Sequence, residues 1–70
     1  MMTVADLRKH LIHLINTYVG DPSVAARLLA LTEREPVPTK GILAELDPHL
    51  SGKMNSEDSQ LVKEIAFNYC

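Results

Sequence analysis

Four breaks punctuate this chain: Gly20-Asp21-Pro22, Pro36-Val37-Pro38, Asp47-Pro48 and Ser51-Gly52. The intervals between them are short, and their apolar residues recur at spacings of three and four. No stretch alternates apolar and polar residues over more than a few positions, and the β-branched residues are scattered, which argues against strands. The expected fold is all-α, a small bundle of about four short helices in a single domain over residues 1–70, with a dimer as one arrangement of it.

The start and stop signals set the helices. Thr3 can cap the first, with Asp6 three residues on, where a carboxylate meets free amides and the positive dipole end. That helix is expected to run to about Val19 and stop at Gly20. Asp21 caps the second, and Pro22 occupies its first position, where a missing N–H costs nothing. Its end is expected near Arg34 or Glu35, before Pro36 and Pro38 force an extended elbow. Thr39 caps a third helix through Leu46, and Asp47-Pro48 repeats the cap-and-proline signal, so His49-Leu50 reads as a separate turn. Asn55 or Ser56 caps the last helix, with Glu57 and Asp58 in its first turn.

The faces of these helices carry the functional reading. In the first, Val4, Leu7, Leu11, Leu14 and Tyr18 form a packing seam. Ile12, Ile15 and Val19 widen the apolar arc to about half the circumference, more than one-sided packing needs. Such a helix is either central to the domain or shared between two copies, which makes Ile12, Ile15 and Val19 the candidate self-association residues. The second helix offers Val24, Leu28 and Leu31 with Ala25 and Leu29, and the third Ile42, Leu43 and Leu46. In the last, Leu61, Val62, Ile65, Ala66 and Tyr69 share one face. Phe67 does not. It keeps company with Gln60, Lys63, Glu64 and Cys70, and an aromatic ring in polar surroundings is a frequent binding anchor. The alternative is a ring covered by Met1-Met2 or by the loop around Met54.

Seventy residues remove only about 60% of the unfolded surface from water, so a thin core calls for reinforcement or a partner. A disulfide within the chain cannot supply it, because Cys70 is the single cysteine, and a reducing, cytoplasmic setting is the simplest expectation. The N-terminal stretch has charges at Asp6, Arg8 and Lys9 and reads as neither signal peptide nor membrane span. A net charge of −2 argues against affinity through broad phosphate neutralisation. The charge is uneven, with five basic and four acidic residues through Lys40, then two basic and five acidic from Gly41 onward. The acidic residues Glu45, Asp47, Glu57 and Asp58 therefore join Phe67, Lys63 and Glu64 as candidate partner-binding residues.

Signals of chemistry are sparse. His10, His13 and His49 are spaced loosely, with no cysteine pair and no His-Glu-x-x-His element, so no metal site is expected and the histidines read as solvated. Cys70 at the chain end is a poor candidate nucleophile, the three glycines stand far apart, and neither catalysis nor a cofactor is expected. The run from Leu31 to Tyr69, with a short elbow, a Lys40-Gly41-Ile42-Leu43 helix start and a closing amphipathic helix, is loosely similar in shape to the small biofilm regulators of enterobacteria. That likeness is one of hydrophobic spacing and implies a helical dimer; no membership is read from it.

The preferred function is a small interaction module acting as inhibitor, adaptor or antidote on a larger protein partner, for example a phage-encoded antagonist of a host defence or regulatory complex. The alternative is a DNA-binding regulator whose helix-turn-helix spans Ser23 to Leu46. Against it stand two prolines in the turn and a reading helix that offers Lys40 and Glu45 instead of Arg, Asn or Gln.

Overall fold

The N-terminal capping signal forms as expected. In the computed structural model, which describes residues 2–70, the Thr3 hydroxyl accepts the Asp6 N–H at 3.1 Å and the Asp6 carboxylate accepts the Thr3 N–H at 3.5 Å. This reciprocal box opens α1, Val4–Tyr18. Three more helices follow: α2, Pro22–Thr32; α3, Thr39–Leu50; and α4, Ser56–Tyr69. The described residues include no strand, and the fold is a small all-α bundle.

α2 begins as its sequence dictates, with the Asp21 carboxylate accepting the Ser23 N–H at 2.9 Å and Pro22 in the first turn. It ends earlier than expected, at Thr32. The closing turn tightens, with Glu33 N–H bonded to the Ala30 carbonyl and Arg34 N–H to that of Leu31, each at 3.2 Å. The freed carbonyls meet a side chain from α1. Arg8 Nε donates to the Thr32 carbonyl at 2.9 Å, and Nη2 donates to the Arg34 carbonyl at 3.1 Å and to Glu35 Oε2 at 3.3 Å. A guanidinium thus caps the negative end of a helix distant in sequence.

α3 departs from expectation at both ends. Thr39 is its first residue and no cap, since its hydroxyl donates to the Val37 carbonyl at 3.3 Å and its side chain is buried. At the other end the helix passes through Pro48 to Leu50. A mid-helix proline costs roughly 3 kcal/mol. Burying a leucine returns about 1.5–3 kcal/mol, and Leu50 completes a buried stripe with Ile42 and Leu46 at spacings of four. The two effects are comparable, which is why the local signal for a stop does not prevail. Gly52, at φ 74°, then reverses the chain in a conformation glycine adopts without a Cβ clash. Asn55 Oδ1 accepts the Asp58 N–H at 2.7 Å and starts α4.

The core joins Leu7, Leu11, Leu14, Ile15 and Val19 of the first segment to Leu28, Ile42, Leu46, Leu50 and Ile65. α1 packs against each of the other three helices, whereas α2 and α4 do not pack on one another. The wide apolar arc of α1 is therefore used within the chain. Ile15 is fully buried, Val19 nearly so and Ile12 half-buried. This corrects the expectation that Ile15 and Val19 face a second copy: both are enclosed by the chain's own helices. Val4, expected on the packing seam, is 41% exposed.

Arg8 is expected to matter beyond its charge. Arg8→Met keeps much of the stem but removes every donor to the end of α2, and should lower stability by about 1.5–3 kcal/mol. Arg8→Lys should recover less than half of that, because a point ammonium cannot reproduce the planar fork. Urea unfolding monitored by circular dichroism measures both; full recovery by lysine would show that charge alone suffices.

Candidate functional site

α4 is pinned at its start to α1 and at its end to Met2, just ahead of α1, and the pins set which of its faces is left outside. At its start, Asp58 lies in the third position of the helix and accepts from two α1 side chains. His13 Nε2 donates to Oδ1 at 3.0 Å, and the Tyr18 hydroxyl donates to Oδ2. At its other end the Tyr69 hydroxyl donates to the Met2 carbonyl at 2.7 Å. The start of α4 thus meets the end of α1, and the two helices run antiparallel.

Ile65 between the pins is fully buried, and Tyr69 packs at the core margin. Phe67 is two residues, or about 200° of helix rotation, from each. It is 89% exposed. Met2 and the Met54 loop leave the ring open, while Met1, the other cover considered, lies outside the described residues.

The ring borders an open groove of about 600 Å³. One wall is the Met2, Asp6, His10 stripe, each four residues from the next, and the other is Glu64, Phe67 and Asn68 of α4. Beside Tyr69 lies a smaller cleft of about 110 Å³, lined by Val4, Leu7, Glu35, Pro36, Val37 and Tyr69. Val4 and Phe67 are the two exposed large hydrophobics among the described residues, and each borders one of these depressions.

The candidate partner residues do not form one patch. Phe67, Lys63 and Glu64 are exposed together on α4. Asp47 and Glu57 are exposed elsewhere, and Glu45 is half-buried and ion-paired with Arg27. Asp58 is a correction: only 7% exposed, its carboxylate is turned inward to His13 and Tyr18 and is not available to a partner. His13 is exposed, as expected of a solvated histidine, and is also the other side of that contact. Asp6, His10, Met2 and Asn68 are not among the residues the sequence offers as partner-binding: it presents Asp6 as part of a cap, His10 as a solvated histidine and Met2 as a cover for Phe67. The spacing of four from Met2 to His10 was visible, but nothing local showed that this stripe faces α4. In the helix-turn-helix alternative, the connection 33–38 is longer than a three- or four-residue turn, and Glu45 of the reading helix is occupied by Arg27.

Asp58, His13 and Thr17 superficially resemble a catalytic relay. The Thr17 hydroxyl is 3.4 Å from His13 Nδ1, but it donates to the His13 carbonyl at 2.7 Å, and neither depression reaches these residues. The geometry supports a clamp between helices. No helix among the described residues is long and apolar enough to cross a membrane. Comparison with protein-family models, curated proteins and solved structures returns no match for this chain.

The clamp shifts two titrations in opposite directions. Hydrogen bonds from Tyr18 and then His13 hold the Asp58 carboxyl below its ordinary value of 3.8. The bond to Asp58, followed by desolvation and the neighbouring negative charge, raises the Tyr18 phenol above 10.0. Asp58 therefore contributes stability that is complete above its unfolded value and is lost as pH falls through the lowered folded one. Tyr18 contributes stability present below its unfolded value and lost as pH rises through the raised one. Tyr18→Phe is expected to abolish the alkaline loss and shrink the acid loss, as measured by chemical denaturation across pH. A variant profile parallel to the wild type at both extremes would remove the clamp from the account.

Proposed function

We propose that this chain is a protein-interaction module that binds a larger protein through the outer face of α4 and blocks the surface it occupies, acting as inhibitor, adaptor or antidote rather than as an enzyme. A phage-encoded antagonist of a host defence or regulatory complex, working in the cytoplasm, is one form of that role. The observation that carries the reading is the exposure of Phe67. The chain's one phenylalanine stands 89% in solvent while Ile65, two residues away, is fully buried. Leaving such a ring in water forgoes about 1.5–3 kcal/mol of transfer free energy, a gain available on binding. Exposed Lys63 and Glu64 beside it supply the polar rim that surrounds an interface anchor.

The expected signature separates binding from folding. Phe67→Ala should leave the melting temperature within about 2 °C of wild type, as for a surface substitution, yet weaken partner capture by at least roughly 30-fold. Ile65→Ala empties a fully buried site and should cost about 2–5 kcal/mol of stability. Thermal melts of both variants, beside affinity capture from cells of the native host, provide the measurement. Unchanged capture by Phe67→Ala would reject this face as the partner surface, and a melt as depressed as that of Ile65→Ala would show the ring to be structural.

A further inference from the structure

We infer that the groove beside Phe67 receives a cationic, amphipathic segment of the partner, one that places an apolar side chain against Phe67 and Met2 and lysine or arginine residues against Asp6 and Glu64. This rests on the reading that the Phe67 face is the partner surface, and adds the chemistry of what sits there.

The argument comes from the two walls. Each carries an apolar residue and a carboxylate: Met2 and Asp6 on the α1 side, Phe67 and Glu64 on the α4 side. His10 and Asn68 complete the lining and no lysine or arginine joins it, while Glu35 in the neighbouring cleft is already paired with Arg8. Lys63 is exposed on α4 but is not part of the lining. An apolar strip with acidic edges favours a basic amphipathic segment, because buried apolar area supplies affinity while opposite charge sets orientation and partner choice.

The shape narrows the occupant further. The groove is open, so it would leave much of a small molecule in water, whereas a polypeptide can lie along it. The cleft of about 110 Å³ is smaller than a typical small-molecule site of roughly 300–1,000 Å³, but suits one anchoring side chain. A second copy placed symmetrically on this face would bring Asp6 and Glu64 against the same acidic face, an unfavourable juxtaposition. Nucleic acid would meet carboxylates with phosphates.

The test is selection of displayed random peptides on the folded chain, followed by anisotropy titration of the enriched peptides at low and raised salt. Enriched sequences should carry lysine or arginine around an apolar residue. Their binding should weaken with salt, fall about tenfold or more with Glu64→Lys, and be lost with Phe67→Ala. Thermal melts of both variants establish that they are folded, with Glu64→Gln replacing the lysine variant if that one is not. Enrichment of acidic or uncharged peptides, or indifference to Glu64 substitution and salt, overturns the cationic assignment; if those peptides still require Phe67, the partner-surface reading survives. Failure to enrich any sequence also overturns the assignment. So does a concentration-dependent rise in sedimenting mass that Phe67→Ala abolishes, which would place a second copy on the face.

Discussion

Enclosure of α1 by the other three helices is the constraint on which the structure depends. Leu7, Leu11, Leu14 and Ile15 are fully or almost fully buried along that one helix, while α2 and α4 contribute one fully buried aliphatic residue each, Leu28 and Ile65. A chain of this length buries too little surface for two independent cores. A single helix apolar over half its circumference solves this by serving as the common partner of the others, and the same solution leaves little of that arc for a second copy.

Polar contacts then decide how the outer helices sit on this axis. Arg8 holds the end of α2, His13 and Tyr18 hold the start of α4 through Asp58, and the Met2 carbonyl holds its end through Tyr69. These contacts are directional where apolar packing is not, so they fix the rotation and register of helices whose buried stripes are narrow. With α4 secured at both ends and Ile65 turned inward, Phe67 has no place in the core. The exposed ring is a geometric consequence of the same contacts that order the bundle, and the acidic edges of its groove come from α1 and α4 together.

Much of the local structure was legible because caps act within a few residues. Thr3 with Asp6, Asp21 with Pro22, and Asn55 each start a helix through contacts to neighbouring amides, and the period of the last helix separates Phe67 from Ile65 and Tyr69. Local rules failed where a distant group intervened. The expected stop at Asp47-Pro48 did not allow for the burial of Leu50, and the expected late end of α2 did not allow for an arginine from α1. Asp58 read as a solvent-facing acid of a first helical turn, since nothing near it in the chain shows that His13 and Tyr18 wait opposite.

The amino-acid order by itself determined four helical segments, the N-terminal caps of α1, α2 and α4 and the off-face position of Phe67, because these depend on interactions within a turn or two. Only the tertiary structure decided that Ile15 and Val19 belong to the chain's own core, that Asp58 is turned inward, and that Met2, Asp6 and His10 form a wall opposite Glu64, Phe67 and Asn68. Those outcomes depend on which helix lies against which and at what rotation. That is set by contacts between residues tens of positions apart, which no local pattern encodes.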